Sequence, residues 1–174
     1  MHCGSVALVL LLIASLACGQ LFVSPSGNSS SSVCSGQDPC ASIYQAVRVF
    51  EEESLWDGMN LILAPGSYNG TLNTNITLPE GAHTISSSDD ASGSVLLEGS
   101  SQGEALFVLS SCDLNLIGVE LNAPENYLAM AHANGVLNVR ITVENSTVKA
   151  ISPETFVAQS DESSSEVQLF LKHC

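Results

Sequence analysis

From Asp57-Gly58 onward the chain never sustains a helical period, and this limits its fold more than any other feature. It is cut into short apolar or alternating runs at 60–64, 71–78, 95–97, 106–109, 114–121, 137–143 and 167–171, separated by Gly, Asn, Ser and Pro turns. Three segments repeat one plan: ALFVLSSCDLNLIGVEL, YLAMAHANGVLNVRITV and TFVAQSDESSSEVQLFL. Each has an apolar patch, a polar turn and a second strand with alternating apolar positions. Leu114-Asn115-Leu116 aligns with Leu137-Asn138-Val139, and Val167-Gln168-Leu169 follows after a serine-rich insertion. A period in the twenties with variable turns predicts an all-β solenoid whose coils each bury a face against their neighbours. A β-sandwich would turn every 8–12 residues without a repeated two-strand unit.

One helix is predicted ahead of these runs, at about 41–56. Ser42-Ile43-Tyr44-Gln45 has the capping-box form, and Ile43, Ala46, Val47 and Phe50 form an apolar stripe at helical spacing. Glu51, Glu52 and Glu53 lie at the end where the helix dipole disfavours acids, and read as a solvated face.

Residues 1–19 read as a cleavable secretory signal peptide: an apolar run at 6–17, then small residues, then polar chain. The run is too short for a bilayer core of ~30 Å. Ala17 and Gly19 suit a cut before Gln20, and Ser15 and Ala17 a cut before Cys18. A lipoprotein cut at Cys18 lacks the usual Leu at position 15, and an uncleaved anchor lacks a following basic cluster. The expected domains are therefore the signal at 1–19, an N-terminal strand, disulfide loop and capping helix at 20–58, and β coils at 59–174.

Eighteen acidic residues stand against four basic ones, Arg48, Arg140, Lys149 and Lys172. So few cations cannot neutralise a run of phosphates, which excludes nucleic acid and disfavours anionic membranes. The acidity fits a secreted surface, with weak calcium binding as the alternative. Cys34 and Cys40 bracket the loop SGQDP and, in an oxidising compartment, predict a disulfide. No further Cys or His lies near enough to make that pair a metal site. Four Asn-x-Ser/Thr sequons, at Asn28, Asn69, Asn75 and Asn145, predict outward-facing glycan acceptors.

FVSPSGN, then Cys34 through Pro39-Cys40-Ala41-Ser42-Ile43, then Gln45-Ala46-Val47, resembles the first segment of secreted pectin-lyase-like proteins. These include the right-handed β-helix and polymorphic-outer-membrane-protein-like groups. Leu61-Ile62-Leu63-Ala64-Pro65-Gly66-Ser67-Tyr68 looks like their first coil, ending in a Pro-Gly-x-Tyr turn. The resemblance implies a right-handed parallel β-helix whose short helix, with Leu55 or Trp56, caps the N-terminal end. It implies fold and not activity, since lyases, hydrolases, esterases and adhesins share this start. Members run on for more coils, so the stop at Cys174 reads as a C-terminal truncation, a partial gene model or a fragment that pairs with something else.

No catalytic, cofactor or metal set emerges from the sequence. Asp89-Asp90 and Asp161-Glu162 lie in serine-rich loops. Arg140 could point outward with Asn138, but the repeat spacing puts Ile117, not an acid, one coil back. His132 reads as a turn residue, and Tyr44, Tyr68, Tyr127 and Trp56 read as too dispersed for a sugar-stacking platform. Cys112 and Cys174 are expected on coils too far apart to bridge. The reading is a secreted, extracellular, non-catalytic β-helix module for adhesion, surface architecture or carbohydrate recognition. Its partners would be extracellular carbohydrate or a cell-surface protein, with no membrane span after signal cleavage. The alternative is a polysaccharide lyase or glycoside hydrolase whose catalytic coils lie elsewhere.

Overall fold

A computed structural model describes residues 20–53, 58–88, 93–99, 105–123, 127–133, 138–151, 156–160 and 166–174. The expected signal peptide, Leu55, Trp56, Asp89-Asp90 and Asp161-Glu162 lie outside the described residues.

Alternation along the apolar runs produces strands with one buried face. In strand β8, Cys112–Ile117, buried and half-exposed side chains alternate without exception. Among the described residues, fourteen strands and one helix result. Strand β1 is Gln20–Asn28 and helix α1 is Ile43–Glu52. There follow β2 Asn60–Leu63, β3 Gly66–Tyr68, β4 Ile76–Thr77, β5 Gly81–Ser87, β6 Val95–Glu98 and β7 Ala105–Leu109. After β8 come β9 Val119–Ala123, β10 Tyr127–Ala133, β11 Asn138–Glu144, β12 Thr147–Ile151, β13 Phe156–Ser160 and β14 Glu166–Lys172.

The strands form three sheets, ordered β1-β2-β5-β8-β11-β14, β3-β6-β9-β12 and β4-β7-β10-β13. From β2 onward the chain visits the first, second and third sheet in turn, and the pairs between named strands are parallel. The class is thus all-β with parallel sheets. Inward side chains stack in rows between sheets: Leu21, Leu61, Ile85, Leu116 and Val143 share one row, all buried. Each such aliphatic side chain contributes roughly 1.5–3 kcal/mol on leaving water.

The observed register corrects the repeat spacing. Leu114 pairs with Ile141 and not Leu137, and Val167 pairs with Val139 and not Leu137. The slips are four and two residues, both even, so every side chain keeps its face. Alternation has a period of two and cannot distinguish such registers.

The predicted strand at 71–78 shrinks to β4, because Asn73 and Thr74 donate their amides to the Gly70 carbonyl and close a turn. The run at 114–121 is two strands, broken at Gly118, whose φ of 68° turns the chain from the first sheet to the second. Asn145 and His173 occupy the same corner in the next two circuits, with φ of 50° and 53°. Gly118 donates to the Glu144 carbonyl and Asn145 to the Lys172 carbonyl, both at 3.0 Å, so these corners stack. His132 does not lie in a turn; it sits in β10, where parallel pairing on β7 and β13 carries the strand through to Ala133 and sets His132 opposite Gln159.

Helix α1 is shorter than expected. Ser42 Oγ accepts from the Gln45 amide at 3.2 Å, as in a capping box, but Gln45 Oε1 accepts from Ala41, one residue before the cap. The stripe Ile43, Ala46, Val47 and Phe50 is buried, joined by Val49.

Candidate functional site

Helix α1 and the turn at 69–73 form the two walls of a groove. The first amides of a helix lack intrahelical acceptors, and the turn supplies them. Ile43 donates to Asn73 Oδ1 at 2.9 Å and Tyr44 to the Leu72 carbonyl at 3.0 Å. These contacts fix the walls and also occupy amides that could otherwise cradle an anion. Gln45 Nε2 donates to the carbonyls of Asn28 and Ser31, tying the floor to the N-terminal loop.

The groove encloses about 560 Å³, with Ser29, Tyr44, Arg48, Asn69, Thr71 and Leu72 among its lining residues. Tyr44 and Leu72 are 45% and 54% exposed and face it with apolar surface. Arg48 pairs with Glu52 at 2.8 Å. Glu52, and then the Tyr44 hydroxyl, hold its guanidinium pKa above the ordinary value. The lining is thus an aromatic ring, an aliphatic side chain, hydroxyls and amides, and a cation already partnered by an acid. Tyr44 and Arg48 lie at i and i+4 on the helix's exposed side, away from the buried stripe, and the sequence analysis assigned neither to a site.

Elsewhere the cations bind the circuit before them. Arg140 on β11 lies 3.8 Å from Asp113 on β8, so the expected absence of an acid there is wrong. The corrected register brings Asp113, and not Ile117, opposite Arg140. Arg140 Nε also donates to Gln168 at 3.4 Å. Lys149 on β12 pairs with Glu120 on β9 at 2.5 Å, and Lys172 on β14 with Glu144 on β11 at 3.8 Å. All four Lys and Arg side chains are therefore in ion pairs. Among the described residues no three Cys, His, Asp or Glu converge on a metal-sized site.

Asn28, Asn69, Asn75 and Asn145 are all exposed. Asn28 donates to Asp38 at 3.0 Å, and Asn69 donates to Glu98, which also accepts from Ser67. Cys34 and Cys40 form the expected disulfide, with Cα atoms 4.7 Å apart. Cys112 and Cys174 are free thiols. Cys112 opens β8 and Cys174 follows β14, two strands further along the first sheet. Burial, with Asp113 adding a smaller effect, pushes the Cys112 thiol up to about 12.

Tyr68 does not join any aromatic platform. It is buried, and its hydroxyl lies 3.0 Å from the Val23 carbonyl and 2.8 Å from that of Ala64, latching β1 to the first circuit. Burial raises its pKa, opposed by the Ala64 carbonyl.

His83 is the buried polar group that sequence reasoning passed over. It alternates with Ile85 on β5, and that spacing was the available signal of an inward side chain. It is fully buried, and its ring meets Phe50 of α1 edge to face at 6.0 Å. The Met59 amide donates to Nδ1 at 3.2 Å. The ring proton therefore sits on Nε2, which donates to the Pro79 carbonyl at 2.8 Å.

Comparison of the chain with protein-family models, curated proteins and solved structures finds no match. Among the described residues no helix is long and apolar enough to cross a membrane.

Proposed function

We propose that this chain is an exported, right-handed parallel β-helix acting as a non-catalytic recognition module, with neutral saccharide as its ligand. The β-helix reading is supported by the rotation of the chain among three parallel sheets. Parallel crossovers are right-handed in about 98% of cases. The observation that carries the ligand class is the groove between α1 and 69–73. A sugar ring has an apolar face that stacks on an aromatic side chain and a rim of hydroxyls that needs donors and acceptors. Tyr44 with Leu72 offers the first, and the hydroxyls of Ser29 and Thr71 offer the second. An acidic polymer is disfavoured, because every cation is engaged and the chain carries a net charge of −14. Export is supported by the leader-like residues 1–19 and the disulfide, and glycan attachment by the exposure of all four sequon asparagines.

The test is binding and turnover of the purified chain on neutral and acidic polysaccharides, with and without calcium. The expected result is saturable binding of a neutral oligosaccharide, weakened about tenfold or more by Tyr44→Ala, with no new reducing or unsaturated ends. Catalytic release of such ends would establish the lyase or hydrolase reading instead. Binding unaffected by Tyr44→Ala would remove the groove from the argument.

A further inference from the structure

His83 joins three segments that are distant in sequence. It belongs to β5, accepts from Met59 at the head of β2, donates to Pro79 in the turn before β5, and touches Phe50 on α1. Helix α1 and the head of β2 are therefore held on β5 partly by one imidazole in its neutral form. We propose that His83 is an acid-operated latch, whose protonation frees helix α1 and the head of β2 from the end of the three-sheet stack.

The geometry makes the neutral form obligatory. A proton on Nδ1 would face the Met59 N–H, so two donors would meet where a donor and acceptor now meet. The new charge would sit in a site lined by Phe50, Met59 and Leu114, where a lone cation is costly. Among the described residues no acid is placed to compensate. Arg48, Glu51 and Glu52 of α1 are exposed, as is Glu80 in the turn, while Asp113 lies on the outward side of β8. Cys112, opposite Gly81, is a buried neutral thiol. Both ring nitrogens bond to backbone instead.

The direction of the pH effect follows. Burial is the main influence and lowers the His83 pKa below its ordinary value near 6.5, with the Pro79 carbonyl opposing. A base kept neutral in the closed state takes up its proton only on opening. The closed state is therefore fully favoured above about pH 6.5 and loses ground as pH falls below it. If the closed imidazole stays neutral, moving from pH 7.5 to 5.0 multiplies the opening equilibrium by up to about 30-fold.

Hydrogen exchange on the intact, disulfide-bonded chain tests the latch, with rates corrected for the intrinsic pH dependence. Amides of α1 and the head of β2 should open 10- to 30-fold more at pH 5.0 than at pH 7.5, while those of β8 and β11 hold. His83→Asn, which keeps an acceptor but cannot titrate, should abolish the difference. Loss of protection spread evenly over all strands, or an equal acid effect in His83→Asn, would overturn the proposal. Should that variant fail to fold, NMR titration of the wild-type imidazole decides. His83 must gain its proton in step with loss of the Phe50 contact; titration near pH 6.5 with α1 signals unmoved rejects the latch.

Discussion

At the scale of single residues, the corners between the first and second sheets are the most demanding positions. Gly118 has left-handed backbone, and a β-carbon there would collide with the Ser87 hydroxyl of the circuit before. Both effects oppose any side chain, and left-handed backbone alone costs an L-residue about 1–2 kcal/mol. Gly118→Ala should therefore destabilise the fold by roughly 1–3 kcal/mol in urea unfolding. Asn145 holds the same conformation at the next corner with a side chain that tolerates it. Asn145→Gly should be near neutral in the same measurement, and an equal loss at both positions would count against backbone conformation as the cause. Asn145 was visible in the sequence as a turn signal, although Gly118 lay inside the run read at 114–121. Their equivalence was not visible, because it depends on the register.

At the scale of elements, helix α1 is the part most legible beforehand. Its stripe at i, i+3, i+4 and i+7 and its Ser42 cap are read directly from residue order, and the buried face matches. Removing the cap oxygen with Ser42→Ala should cost about 1 kcal/mol, seen as a lower melting temperature with unchanged strand content by circular dichroism. The strands were legible as a class but not as a set. β5 (GAHTISS) carries too few apolar residues to announce itself, and it is a strand because its parallel neighbours β2 and β8 supply hydrogen bonds on both sides, while β12 (TVKAI) is an edge strand held by β9 alone. The groove was illegible for a related reason. Its second wall comes from the turn at 69–73, and the hydrogen bonds from Ile43 and Tyr44 to that turn span nearly thirty residues of sequence. Arg140 reads as outward from alternation alone, yet its partnership with Asp113 required a register that alternation leaves open at every even slip.

At the scale of the whole molecule, each circuit contacts the circuits before and after it, and the outer ion pairs follow the same rule. Asp113–Arg140, Glu120–Lys149 and Glu144–Lys172 each join one circuit to the next. Arg140, Lys149 and Lys172 are more than half exposed, and exposed pairs are worth about 0–1 kcal/mol each. Arg140→Gln should thus shift stability by under about 1 kcal/mol, and 1 M salt should erase even that difference. A larger effect would mean that Asp113 is carrying an uncompensated charge into the sheet surface. The hydrophobic rows, not the charges, hold the stack together. The stacked corner at Gly118, Asn145 and His173 then determines where a peptide tag or a grafted loop can be placed. One residue inserted there would throw the following strands out of step with the circuit below, inverting their inward and outward faces. The spacing between second-sheet and third-sheet strands varies from one circuit to the next, so extra chain between those strands does not force that inversion.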